Sequence, residues 1–152
     1  MGLKEKISDD LKSAMKSGDK IRLETLRTLR AALMEKEIEK RGTGKPMSPE
    51  DEIAVLSSSA KKRRESMEQF EKGGRPELVE QEGKELAIIH EYLPKQMSSD
   101  EVMKVVENAV VTLGALTESD FGRVMSFAMK ELKGKADGKL IQDIVKKRLA
   151  GA

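Results

Sequence analysis

The chain has 152 residues, of which 37% are charged, 38% hydrophobic and only 3% aromatic, with a net charge of +2. That profile suits a helix-rich protein over a sheet protein, which draws on aromatic and β-branched side chains. The length allows one compact domain or two small ones, and the absence of cysteine excludes disulfides, thiolate metal sites and a cysteine nucleophile.

Helical periodicity runs nearly end to end. Leu3, Ile7, Leu11, Ala14 and Met15 mark one face of a first helix, with Gly18 as its stop and Asp19 as the next N-cap. Leu23, Leu26, Leu29, Leu33 and Ile38 continue a longer helix that ends at GTGKP. Ser48-Pro-Glu-Asp51 combines an N-cap serine, a first-turn proline and an acid three residues on. The stripe Ile53, Leu56, Ala60, Met67 and Phe70 follows, stopped by Gly73-Gly74. Pro76 restarts a helix through Val79, Leu86, Ile89 and Leu93, closed by Pro94. We expect two helical hairpins packed through these stripes, over residues 1–94.

LPKQMSSDE, Leu93 to Glu101, reads as a linker. Beyond it three shorter helices are expected, making a second helical subdomain over 97–152. Their faces are Val102, Val106, Ala109, Val110 and Leu113 to a stop at Gly114; Phe121, Val124, Met125, Ala128 and Leu132 after a Thr117/Asp120 cap pair; and Leu140, Ile141, Ile144, Val145 and Leu149 after Asp137. Each is too short to stand alone, but three facing stripes make a small bundle. The fold class is therefore all-α, with no strand signal.

No apolar run is long enough to span a bilayer, and MGLKEKISDD has no apolar leader region, so a cytosolic protein without a membrane partner is expected. Charge is unevenly spread. Residues 1–94 carry 19 basic and 19 acidic groups, residues 95–132 carry 4 and 6, and residues 133–152 carry 6 and 2, a local surplus of +4.

That surplus surrounds Gly134-Lys-Ala-Asp-Gly138. Gly134 as the left-handed residue after a helix, Asp137 as an N-cap and Gly138 as a tight turn explain the pattern with no ligand. The same geometry presents free N–H groups at a helix start, crowded by Lys133, Lys135 and Lys139. Lys139, Lys146 and Lys147 share the face opposite the apolar stripe, with Asp143 among them. Such a patch can hold backbone phosphates with little base selectivity. No aromatic residue interleaves it in the sequence, so base stacking is not expected and a folded RNA fits better than a floppy strand.

Other groups read as structural. Arg63 and Arg64 of KKRR border the third stripe and face the acids that follow, with Lys61 and Lys62 further out. His90, the single histidine, is expected at the boundary or surface, and the nine methionines read as core filler. No catalytic residue, metal site or cofactor site is expected.

The stretch KKRRESMEQFEKGGRPELVEQEGKELAIIHEYLPKQMSSDE, with FGRVMSFAMKELKGKADGKLIQDIVKKRL after it, resembles the YqeY proteins of the GatB/YqeY family over nearly the whole chain. The most specific parts are RRES-EQF-GGRPEL, EYLPKQ, GRVM and GKADGKL. The resemblance implies a two-part helical fold whose part from about Met97 onward is similar to the tail domain of the B subunit of the tRNA-dependent amidotransferase. That tail engages the body of the tRNA. The family's two tail signatures correspond to Gly122–Met125, including Arg123, and to Gly134–Asp137. Stand-alone members lack the catalytic core, and nothing here supplies a glutaminase or ATP site. A carbon–nitrogen ligase label, with glutamine as amide donor, would be inherited through the shared tail.

Three functions follow as expectations. The first is a non-catalytic tRNA-interacting protein using the five lysines. The second is an interaction or assembly module for an amidotransferase or aminoacyl-tRNA synthetase, without RNA. The third, an amidotransferase acting alone, ranks last.

Overall fold

In the computed structural model, which describes residues 2–151, Gly18 takes φ 75° and lets the first helix turn directly into the second. Helix α1 (Leu3–Ser17) is closed there, and the Asp19 carboxylate accepts the Arg22 N–H to start α2 (Lys20–Arg41). Helix α3 (Pro49–Lys72) begins with a reciprocal capping box between Ser48 and Asp51. Backbone and side-chain bonds from Ser48, with the Lys40 ammonium at 3.2 Å, hold the Asp51 carboxyl down to about 2. Helix α4 (Pro76–His90) follows the Gly73-Gly74 stop. Among the described residues there are seven α-helices and no strand, which is the all-α class expected.

The chain divides into two compact units, Met1–Leu93 and Pro94–Ala152. In the first, α1 pairs with α2 and α3 with α4, and α2 joins the two hairpins. Ile7, Leu26, Leu29, Leu33, Leu56, Ala60 and Ile89 form its buried centre. Its C-terminal end is tied back: Tyr92 donates to Asp10, and Arg22 donates to both oxygens of Glu91 at 2.8 and 3.3 Å.

Of the expected stripes, Ile53, Met67, Phe70 and Val79 are half-buried beside this core rather than in it, and two residues are exposed. Ile38 is 63% exposed because the register set by Leu26, Leu29 and Leu33 runs to position 37, and Ile38 is about 100° further round. Glu37, in that register, pairs instead with Lys4 of α1. Met15 sits at the edge of the α1 stripe in the last turn, also exposed.

The second unit holds α5 (Ser99–Leu113), a 3₁₀ turn at Glu118–Asp120, α6 (Phe121–Leu132) and α7 (Gly138–Ala150). Each helix contributes to one core: Val102, Val106 and Val110, then Val124, Ala128 and Leu132, then Ile141, Val145 and Leu149. Asp120 organises the entry to α6. Its carboxylate takes Arg123 Nη2 at 2.7 Å and the N–H groups of Leu116 and Thr117 at 2.9 and 3.2 Å, which together hold it down to about 2. Among the described residues no helix is long and apolar enough to cross a membrane.

Candidate nucleic-acid interface

Helix α6 stops at Leu132, and the next three residues build the turn that carries the lysines. Lys133 has φ −57° and ψ 123°, Gly134 has φ 78°, and Lys135 N–H donates to the Leu132 carbonyl at 2.9 Å. These are the features of a type II β-turn, whose third residue requires positive φ. Gly134 is thus the left-handed residue expected after the helix, and it serves as the third residue of this turn.

The turn is strapped from below. Gln96 Nε2 donates to the carbonyls of Gly134 at 2.9 Å and Pro94 at 3.0 Å, and Met97 N–H donates to the Lys135 carbonyl at 2.8 Å. The segment that reads as a linker therefore works as a support, packed within the second unit. Long-range bonds to backbone carbonyls leave no trace in local composition.

Asp137, in extended geometry, accepts the Lys139 N–H at 3.3 Å while its carbonyl accepts Ile141 N–H at 3.1 Å, opening α7. Gly138 is the first residue of α7, lacks positive φ and has open space where a Cβ would stand. The expected tight turn at Gly138 is therefore absent, because Gly134 and Asp137 already complete the bend. Gly122, within α6, likewise has open space around it. The two glycines 134 and 138 should respond oppositely. Gly134→Val forces a β-branched residue to positive φ and should cost about 2 kcal/mol, whereas Gly138→Ala should gain about 0.5 kcal/mol. Urea midpoints of the two variants check both signs.

Among the cations of 133–152, Arg148 pairs across to α5. Arg148 Nε and Nη2 donate to Glu107 of α5 at 2.6 and 3.2 Å, raising the guanidinium and lowering the carboxylate. Setting that neutral pair aside leaves five lysines against Asp137 and Asp143, so the surplus falls from +4 to +3. Lys133, Lys139, Lys146 and Lys147 are exposed and Lys135 half-buried. Lys139 and Lys146 lie on one azimuth of α7, about 10 Å apart along its axis, and Lys147 lies about 100° further round.

Arg123 is drawn into the Asp120 clamp described above, so it shapes the entry to α6. One neighbour of the lysines was invisible in the sequence. The Lys146 ammonium stands 5.8 Å from the centroid of the half-buried Phe121 ring. The expectation of a patch without an aromatic is thereby corrected. Residues 121 and 146 are on different helices, and only the packing of α7 beside the start of α6 brings them together.

The first unit holds a second polar cluster in the seam between α3 and α4. Arg63 Nη1 lies 3.2 and 3.4 Å from the two oxygens of Glu82, and 2.9 Å from Glu85 Oε2 without hydrogen-bond geometry. Glu85 is only 8% exposed, and burial raises its carboxyl above the usual range against the pull of Arg63, with Glu82 adding to the rise. Half-buried His90 has its Nε2 without a hydrogen-bond partner, and burial followed by the charge of Arg64 lowers its titration. The stripe reading of α4 assigned no inward role to Glu85.

Residues 4–149 match the family described as "Yqey-like protein". This chain belongs to the Yqey-like protein family. Among its relatives in that family is Altered inheritance of mitochondria protein 41, mitochondrial, of Pyrenophora tritici-repentis. It is 28% identical over 148 residues, covering 92% of this chain and 79% of the relative. Proteins of the same name from Eremothecium gossypii and Lachancea thermotolerans are 36% and 38% identical over 87 and 90 residues. Those alignments cover 57% of this chain and 46% of each relative, so less than half of those two proteins is represented.

All three names carry the word mitochondrial, which overturns the cytosolic expectation. That expectation rested on the lack of a bilayer-spanning apolar run and of an apolar leader. Neither bears on a mitochondrial protein, whose targeting segment is amphipathic and Arg-rich rather than apolar.

Proposed function

We propose that this Yqey-like protein is a non-catalytic, tRNA-interacting helical protein. Its second unit, by resemblance the counterpart of the amidotransferase tail, holds RNA phosphates with Lys133, Lys135, Lys139, Lys146 and Lys147. The observation that carries this reading is the +4 concentrated in residues 133–152 of a chain whose first 94 residues are neutral. The strapped turn supports it, since cations on a fixed backbone lose less entropy on binding than cations on a mobile tail.

Salt titration tests it. With four to five phosphates neutralised, affinity for a folded tRNA transcript should fall roughly 100- to 500-fold between about 50 and 200 mM monovalent salt. Binding that is flat across that range would sink the phosphate reading.

A second reading has its own observation. Val111 and Leu116 of the second unit are 70% and 78% exposed, large apolar side chains that a protein partner could cover. On this reading the chain docks on an amidotransferase or aminoacyl-tRNA synthetase. Its mark is association with the purified enzyme that survives ribonuclease.

A further inference from the structure

Between the start of α6 and the last turn of α7 lies a cavity of about 350 Å³, lined by Glu118, Phe121, Lys146, Leu149 and Ala150. It is small for a drug-sized ligand and lies at the lower end of the range for ligand sites. Its lining combines an aromatic ring and aliphatic groups with one cation and one carboxylate, and the Lys146 ammonium stands 5.8 Å from the Phe121 ring centroid. We propose that this cavity receives a single unstacked nucleobase bearing an amino group, with the adjoining phosphate taken by Lys146. The inference rests on the RNA reading and names the part of the RNA that this site selects.

Charge decides among the occupants. A phosphate inside the cavity would meet the Glu118 carboxylate and the negative end of the α7 dipole. An arginine or lysine from a protein partner would meet Lys146 and the surrounding lysine surplus. A neutral, flat group with hydrogen-bond donors on its edge avoids both penalties. Every base has a π-face for the ring, and a carboxylate accepts from an exocyclic amine. A base that takes the ring face frees the Lys146 ammonium to move to the phosphate beside it. The patch then prefers RNA with an extruded base over a smooth duplex, which phosphate contacts alone do not achieve.

The test compares a folded tRNA transcript with a blunt RNA duplex of the same phosphate count, using the full chain. Phe121→Leu keeps an apolar side chain against the core and removes the stacking ring. It should weaken tRNA binding about 5- to 10-fold, the lower part of the range for one stacked base, with the salt slope and duplex affinity unchanged. Matched melting curves confirm that the variant is folded. Without any variant, GMP should shift the Phe121 ring resonances of the wild type and UMP should shift them less, the ring being assigned by its loss in Phe121→Leu. If Phe121→Leu binds tRNA like the wild type while loss of the lysines abolishes binding, the base pocket is wrong and the RNA reading stands. If the wild type binds neither RNA at low salt, both fall. If N-acetyl-arginine amide moves the ring and GMP does not, the cavity belongs to a protein partner and the proposal is overturned.

Discussion

A chain with Lys133, Lys135, Lys146 and Lys147 all replaced by Glu should bind folded tRNA at least about 100-fold more weakly than the wild type, with a salt slope close to zero. Each reversal removes two charge units, so residues 133–152 go from +4 to −4. The attraction becomes repulsion on the surface where we place the phosphates. None of the four side chains is fully buried and none lies in the core of the second unit, so the fold should persist. The structural cost comes from placing acids near the C-terminus of α7 and from losing the Lys146–Phe121 contact, together about 1–2 kcal/mol. The same positions changed to Gln should give an intermediate affinity. Filter binding at low salt, with a thermal melt alongside, reads both quantities. Wild-type affinity in a folded Glu variant would remove these lysines from the interface.

The largest stability effect should come from Arg63→Met in the first unit. Arg63 is the cation shared by Glu82 and Glu85, and without it two carboxylates face each other in the α3–α4 seam. Removing one partner of a buried ion group costs 3–5 kcal/mol. We expect about 3 kcal/mol because Arg63 and Glu82 keep some contact with water, which corresponds to a fall in Tm of about 15 °C.

The pH dependence has a definite sign. The folded-state titration of Glu85 lies above its ordinary value, so the folded state binds more protons in that window and ionised Glu85 costs stability at neutral pH. Mild acidification should therefore recover stability as pH falls through the raised value towards 4.5, and it should recover more in Arg63→Met, where the opposing cation is gone. The measurement must stay above the ordinary carboxylate range. Asp51 and Asp120, held down to about 2, lose their contribution below it. Glu85→Gln should abolish this pH dependence and restore much of the Arg63→Met loss. An Arg63→Met protein that melts with the wild type, or a double variant without rescue, would show that the seam does not depend on this ion cluster.

How much was readable varies with the distance over which each feature is built. Gly18 with Asp19, Ser48 with Asp51, and Thr117 with Asp120 act within four residues, and each stands in the structure where the sequence places a helix boundary. The stripes failed where spacing was followed past its register, as at Ile38, or to the edge of a face, as at Met15. The candidate site was legible as a list of lysines and as a glycine–aspartate turn, but its internal logic was not. The sequence cannot distinguish Gly134, which carries φ 78°, from Gly138, which is simply helical.

The amino-acid sequence by itself therefore determined the all-α class, the capped helix starts, the family resemblance and the concentration of charge in the last twenty residues. These depend on periodicity, capping and composition, which are local properties of a chain. Tertiary structure alone decided that Gln96 and Met97 hold the Gly134 turn, that Arg148 is spent on Glu107, that Phe121 lies beneath Lys146, and that Glu85 is buried against Arg63. Each joins groups on different elements, from 22 to 41 residues apart in the chain. Such pairs exist only once the apolar stripes have packed, because packing fixes which polar groups the helices bring face to face.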